Sequence, residues 1–173
     1  DQSSAASDVY KRQTKYSNVI SYEELLSLGN ENFEWISGEE TDACGICYTS
    51  GTTGNPKGVV YTHRSNTLHA LTQAAPDMLN LSSTDTIMPV VPLFHANGWS
   101  IAYTAPLVGS SIVFPGGDLS PSSLYDMLER GVTITAAVPT VWLLLLNFLE
   151  SEKKELSSLK RVVTVSYTHL TLP

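Results

Sequence analysis

The feature that most constrains the fold is a regular alternation of strand-like and helix-like segments in the second half of the chain. Short runs rich in apolar and β-branched residues occur at 86–91, 111–114, 132–138 and 161–164. Segments with helical patterning separate them, at 99–108, 120–131 and 140–151. Strands that alternate with helices in this way typically form a parallel sheet with crossover helices. The sequence therefore predicts an α/β fold with a mostly parallel sheet.

Upstream of this region the sequence predicts two helices. Ser21 and Glu24 have the spacing of a capping box and predict a short helix. Ser65 is expected to cap a second helix over residues 66–79. The helical period predicts that the face packed on the core carries Leu68, Leu71, Ala75 and Leu79.

Between these helices lies a loop rich in glycine and hydroxyl side chains, YTSGTTGNPKGV at residues 48–59. Glycines let the backbone turn sharply and approach a ligand closely. Successive backbone N–H groups and hydroxyls can then converge on an anion. The loop is not the P-loop of NTPases, because Pro56 stands where that motif has glycine and Gly58 where it has serine or threonine. The sequence predicts a phosphate-binding loop that follows the strand beginning at Ala43.

The run YTSGTTGNPKGVV resembles the signature loop of the adenylate-forming (AMP-binding) enzymes, which include acyl-CoA synthetases, luciferases and peptide-synthetase adenylation domains. In that family the loop holds the β- and γ-phosphates of ATP while a carboxylate attacks the α-phosphate. The resemblance implies that Lys57 takes part in catalysis. It implies an ATP-phosphate site made of Thr49, Ser50, Gly51, Thr52, Thr53, Gly54 and Lys57.

Two further loops follow predicted strands, VPLFHANGW at 91–99 and VPTVW at 138–142. Ligands of parallel sheets bind at the carboxyl ends of strands, so all three loops are expected at one cleft. By composition alone His95 is more typical of a structural residue, and Trp142 fits a core position equally well. PLFH, however, resembles the family's second signature, whose histidine lies beside the acyl pocket. The resemblance implies a catalytic role for His95 and a substrate pocket of His95, Trp99, Val138, Pro139, Thr140 and Trp142.

Composition excludes several other classes. The net charge of −7 and the absence of a basic cluster argue against nucleic-acid binding. The longest apolar run, residues 141–146, is too short for a membrane span, and no signal segment is evident, so a cytoplasmic protein is predicted. Cys44 and Cys47 lie on opposite faces of one strand and should not form a disulfide. His63 and His69 are six apart on a helix, so no metal ligands are predicted.

Both ends of the sequence differ from the middle. Residues 1–13 and 165–173 resemble adapter-derived sequence, and a natural N-terminus and strand end is the alternative. Residues 14–164 are expected to be part of an AMP-binding N-terminal domain. The family's adenine, ribose and magnesium motifs, and its C-terminal lysine, are not found in this sequence, so we expect the 173 residues alone to be inactive.

The loop combination VPLFHANGW, APLVG and VPTVW is similar to that of medium-chain fatty acyl-CoA ligases and dimethylsulfoniopropionate-CoA ligases. The resemblance implies a parent enzyme that uses ATP, Mg²⁺ and coenzyme A to activate a carboxylic acid. A noncatalytic nucleotide-binding module, a peptide-synthetase adenylation domain and a luciferase-like enzyme remain alternatives. Neither the acid nor the oligomeric state follows from the sequence.

Overall fold

The computed structural model describes residues 19–49 and 55–164. Both predicted adapter-like ends and the predicted phosphate-loop residues 50–54 lie outside these ranges. The chain divides into two compact units between Gly38 and Glu39. In the first unit, helix α1 (Tyr22–Ser27) has the predicted capping box. The backbone N–H of Glu24 donates to Ser21 Oγ at 3.1 Å, and that of Ser21 donates to Glu24 Oε2 at 2.7 Å.

The second unit begins with a hairpin of β1 (Ala43–Thr49) and β2 (Lys57–Thr62). These strands pair antiparallel as a two-stranded sheet of their own, and Thr49 lies opposite Lys57. β1, the strand that leads into the predicted phosphate loop, is therefore not a strand of the parallel sheet, whereas the other two loops follow strands of that sheet. The reason is the short connection, since a parallel neighbour needs a crossover of a dozen or more residues.

Helix α2 (His63–Ala74) follows β2 directly and differs from the prediction in its start, in its buried face and in its end, which comes five residues before Leu79. Thr62 is the N-cap, and it exchanges hydrogen bonds with Ser65, which was predicted to be the cap. The inward face carries Asn66, Ala70 and Gln73, whereas Leu68 and Leu71 are 57% and 53% exposed. The amphipathic prediction is wrong for Leu68 and Leu71, because a largely polar face of the helix is buried instead. Leu79, beyond the end of the helix, does pack against the core.

The main sheet confirms the predicted parallel architecture. Its strands β3 (Thr86–Pro89), β4 (Ser111–Ile112), β5 (Ile134–Ala137) and β6 (Arg161–Thr164) are arranged in the order β4-β3-β5-β6, and every neighbouring pair is parallel. The connecting helices are α3 (Ile101–Val108), α4 (Pro121–Leu128) and α5 (Pro139–Glu152). Ser120 caps α4 as predicted, with Pro121 in its first turn.

Side chains that alternate along the strands build one core on each face of the sheet. Ile87 and Ile134 pack with Ile101 and Ala105 of α3. Met88 faces the other way and packs with residues of α4 and α5, among them Leu145. The two central strands, β3 and β5, are thus buried on both sides, as is usual for parallel sheets, whereas β4 and β6 are partly exposed.

A buried carboxylate ties together the amino ends of three strands. Asp85, which precedes β3, is 6% exposed. It accepts hydrogen bonds from Ser82 Oγ at 3.0 Å, from Thr133 Oγ1 at 2.7 Å and from an Arg161 guanidinium nitrogen at 2.8 Å. Burial by itself would raise the pKa of Asp85, but the hydrogen bonds from Thr133 and Ser82 and the charge of Arg161 outweigh burial and lower that pKa.

Candidate functional site

The tip of the β1–β2 hairpin carries the two predicted phosphate-site residues that the structure describes. Thr49 ends β1 and Lys57 begins β2, and the two are exposed cross-strand partners. β1 therefore ends beside the start of β2, and Lys57 stands at that end of the strand pair. This arrangement is compatible with a loop that wraps around an anion and a cationic side chain beside it.

The backbone that follows the carboxyl end of β3 adopts an unusual conformation. The segment Ala96–Trp99 closes a helical turn, but its φ angles are positive, and so is that of Ser100. The five consecutive values run from 46° at Ala96 to 63° at Ser100, and only Gly98 among them is a glycine. We call residues 96–100 the left-handed turn. It replaces the start of the helix that was predicted from Trp99, and α3 begins only at Ile101.

The left-handed turn is a high-energy backbone conformation. Each non-glycine residue in this region costs roughly 1–2 kcal/mol, so such residues normally occur singly. Consecutive strained residues persist only where the surroundings hold them, and they are concentrated at functional sites. The turn directly follows His95, whose extended backbone leads into it and whose side chain is exposed. The strain therefore lies in one of the two loops singled out by the sequence.

Three side chains, one each from β1, α2 and α3, hold the turn. The Cys47 thiol of β1 donates to Asn97 Oδ1 at 3.1 Å. The Gln73 side-chain amide of α2 donates to the backbone carbonyl of Trp99. Thr104 Oγ1 lies 3.0 Å from the carbonyl oxygen of Ser100. Cys47 and Cys44 are both free thiols, which agrees with the prediction that they form no disulfide.

A cavity of about 830 Å³ adjoins the left-handed turn. Its walls come from β2, α2, the turn itself and the carboxyl half of β6, where Val162, Val163 and Thr164 line it. The inward polar face of α2 contributes Asn66, His69 and Gln73. The lining also includes Met78 and Leu79, from the segment between α2 and β3. The left-handed turn, which follows β3, and Thr164, at the end of β6, bring the cavity to the carboxyl ends of two strands, where parallel sheets bind ligands. Its size suits a small organic ligand.

The structure separates the predicted pocket residues into groups. Trp99 lines the cavity and packs against the core beneath α3. His95 is exposed and adjoins the cavity only through its neighbour Ala96. Trp142 packs against the core on the other face of the sheet, and its buried indole nitrogen has no hydrogen-bond partner among the described residues.

The remaining predicted pocket residues follow β5. Val138 and Thr140 are exposed, and Pro139 is buried in the first turn of α5. None of them lines the cavity beside Trp99. Their assignment to a substrate pocket, like that of His95 and Trp142, stays a prediction.

Sequence reasoning missed the polar face of α2. Asn66, His69 and Gln73 recur at helical spacing, and Asn66 and Gln73 are buried among the described residues. A stripe of polar residues at this spacing beside exposed leucines is the signal that would have identified the face. His69 was interpreted as a solvent or core residue, and it is an exposed residue at the cavity wall.

Comparison with known proteins places these features in a family. The model of the AMP-binding enzyme family matches residues 3–168. The chain therefore belongs to the AMP-binding enzymes, and the resemblance inferred from the loop motifs is confirmed.

Two of the curated relatives are named as CoA ligases. The chain is 49% identical over 146 residues to the medium-chain-fatty-acid–CoA ligase of Ectopseudomonas oleovorans, covering 84% of this chain and 27% of that protein. It is 43% identical over 143 residues to the 3-methylmercaptopropionyl-CoA ligase of Ruegeria pomeroyi, covering 82% and 26%. The chain thus spans about a quarter of the length of the curated relatives it matches.

Solved structures show the same fold. A long-chain-fatty-acid-CoA ligase from Archaeoglobus fulgidus superposes with a TM-score of 0.74 at 32% identity, over 90% of this chain and 31% of that one. The o-succinylbenzoate CoA synthetase of Bacillus subtilis, solved with its acyl-adenylate intermediate, gives 0.71 at 27% identity over 87% and 38%. Within the described residues, no helix combines the length and apolar character needed to span a bilayer.

Proposed function

We propose that this chain is the part of an AMP-forming acyl-CoA ligase that grips the phosphates of ATP and forms one wall of the acyl pocket. The observation that carries the proposal is the 49% and 43% identity to two enzymes named as CoA ligases, over more than four fifths of this chain. The hairpin tip and the cavity beside Trp99 fit the two roles.

In the proposed reaction a carboxylate oxygen of the acid attacks the α-phosphorus of ATP. The bond from that phosphorus to the bridging oxygen breaks, and pyrophosphate leaves. A thiol, which we take to be coenzyme A, then attacks the acyl carbon and displaces AMP. Residues 49–54 and Lys57 would hold the departing pyrophosphate, because positioned donors and cations stabilise the charge that develops there.

Mg²⁺ would accompany ATP and neutralise phosphate charge. Among residues 19–49 and 55–164, no three His, Cys, Asp or Glu side chains cluster as metal ligands. We therefore assign Mg²⁺ to no residue of this chain. We also propose that the 173 residues by themselves do not turn over, since the family motifs for adenine, ribose and the C-terminal lysine are not in the sequence.

The test uses a hybrid ligase, in which residues 19–164 replace the matching segment of the Ectopseudomonas oleovorans enzyme. We expect the hybrid to catalyse acid-dependent ATP–pyrophosphate exchange with medium-chain fatty acids or 3-methylmercaptopropionate. Lys57→Ala should slow that exchange by about 100-fold, the usual effect of removing one stabilising group from a transition state. The matched control is Lys160→Ala, an exposed lysine far along the sequence, which should leave the rate unchanged.

Two results would contradict the proposal. One is a hybrid that folds and binds ATP but shows no exchange with any carboxylic acid. The other is a Lys57→Ala hybrid that exchanges pyrophosphate as fast as the unmodified hybrid.

A further inference from the structure

The left-handed turn is held chiefly by a residue that no motif of the sequence includes. Gln73 is 6% exposed, on the inward face of α2. Its side-chain nitrogen donates to the carbonyl of Trp99, which lies within the turn. A buried polar side chain is costly unless it is hydrogen-bonded, so this contact fixes the positions of both partners.

The other end of the Gln73 amide is also fixed. Thr104 Oγ1 lies 2.7 Å from Gln73 Oε1, and Thr104 is fully buried. The same hydroxyl lies 3.0 Å from the carbonyl oxygen of Ser100, the last residue of the left-handed turn. A hydroxyl has one proton, which the shorter contact gives to Gln73 Oε1, while the Thr104 backbone N–H donates to the carbonyl of Ser100 at 2.9 Å. Gln73 and Thr104 therefore bracket the turn from α2 and α3, each through a backbone carbonyl.

This bracket bears directly on the cavity wall. Trp99 and Ser100 both line the cavity, and so does Gln73. If the carbonyl of Trp99 loses its donor, the strained φ of that residue is no longer compensated and the turn can relax toward ordinary helix. Relaxation would rotate the indole of Trp99, because a side chain follows the φ and ψ of its own residue.

We propose that Gln73 is a positioning residue for substrate recognition: held by Thr104, it fixes the left-handed turn and thereby sets where the Trp99 indole stands in the cavity wall. The inference rests on the proposed function, because it takes the cavity to be the acyl pocket. Gln73 touches no reacting atom in this account. Its effect reaches the substrate only through Trp99.

The test compares three variants in the hybrid ligase. Gln73→Met keeps the side-chain volume and removes both hydrogen bonds. Thr104→Val keeps the shape and removes the hydroxyl that holds Gln73. Thr72→Ala is the matched control, since Thr72 is exposed on the same helix and its hydroxyl bonds only to the carbonyl of Leu68.

Gln73→Met should raise the KM for the acid about fivefold, the factor that one net hydrogen bond represents, with kcat and the KM for ATP nearly unchanged. Thr104→Val should raise the same KM by a smaller factor. The double variant should be no worse than Gln73→Met, because the two residues act through one contact. Thr72→Ala should match the unmodified hybrid.

A second readout does not depend on turnover. In the hybrid labelled with 5-fluorotryptophan, the ¹⁹F resonance that Trp99→Phe removes should shift in Gln73→Met and stay in place in Thr72→Ala. An unshifted Trp99 resonance, or a shifted resonance with an unchanged acid KM, overturns the proposal. A hybrid with no acid-dependent exchange refutes the proposed function instead, and the ¹⁹F result then still decides whether Gln73 positions the turn.

Discussion

The two ends of the parallel sheet each hold a buried polar cluster, and the two clusters differ in what surrounds them. At the amino end, Asp85 is bonded by Ser82, Thr133 and Arg161. Arg161 also donates to the carbonyl of Asn80 at 3.1 Å, and Asn80 is a single residue with positive φ, 49°. At the carboxyl end, Gln73 and Thr104 support a left-handed turn beside a cavity. Polar residues alone do not mark a site. A run of strained residues that lines a cavity does, whereas the amino-end cluster has one strained residue, Asn80.

The largest expected effect comes from breaking the amino-end cluster. Asp85→Asn removes the negative charge that is bonded by Arg161 and by the hydroxyls of Ser82 and Thr133. The Arg161 side chain is 34% exposed, so water partly solvates the positive charge that is left without its partner. We expect a loss of about 2–4 kcal/mol in the free energy of unfolding, below the full cost of a buried unpaired charge. Urea unfolding of the 173-residue chain measures it. Asp126→Asn, an exposed aspartate on α4, is the control and should change stability by less than about 0.5 kcal/mol.

The same residue predicts how stability depends on pH. The pKa of Asp85 is lower in the folded chain than in the unfolded chain. Its contribution is therefore fully present above the unfolded value of about 3.9 and is lost as the pH falls from there through the folded pKa. Asp85→Asn should flatten this acid limb. A variant whose stability falls as steeply with acid as the unmodified chain would show that Asp85 is not the group responsible.

An intermediate loss of stability is expected when the glycine of the left-handed turn is replaced. Gly98 has φ 61°, and a Cβ there would lie 2.8 Å from Leu93 Cδ2, which belongs to a half-exposed side chain that can move. Gly98→Ala should therefore cost about 1–2 kcal/mol, mostly from backbone strain. Gly117→Ala is the control, because nothing lies within 4 Å of its added Cβ. Equal losses in the two variants would contradict the strained geometry assigned to the turn.

The smallest effect is expected for Leu71, in a pair of substitutions that tests which face of α2 is buried. Leu71 is 53% exposed, so Leu71→Gln should change the free energy of unfolding by less than about 0.5 kcal/mol. Its neighbour Ala70 is 2% exposed, and Ala70→Gln should cost about 1–3 kcal/mol through overpacking. If the leucine face were buried, Leu71→Gln would cost more than Ala70→Gln. That result would contradict the buried face assigned to α2 here.

The sequence predicted the parallel sheet well, because β-branched runs, Ser120 with Pro121 and glycine-bounded helices are local signals. It did not predict that β1 and β2 stand apart as a hairpin, which depends on pairing rather than on either strand alone. Nor did it predict the left-handed turn. The sequence predicted an ordinary helix from Trp99, whereas two of the side chains that hold the strained backbone, Cys47 and Gln73, are 50 and 26 residues away from their partners and give no local signal.

The most direct test measures both ends of the sheet in one experiment on the hybrid ligase. The free energy of unfolding and the KM for the acid are determined for Asp85→Asn and Gln73→Met side by side. We predict that Asp85→Asn lowers stability and leaves the acid KM unchanged, whereas Gln73→Met raises the acid KM about fivefold and costs no more than about 1.5 kcal/mol. If both variants lower stability and raise the acid KM by similar amounts, the account is contradicted. The amino end of the sheet would then not be purely structural, nor the carboxyl end specific to substrate recognition.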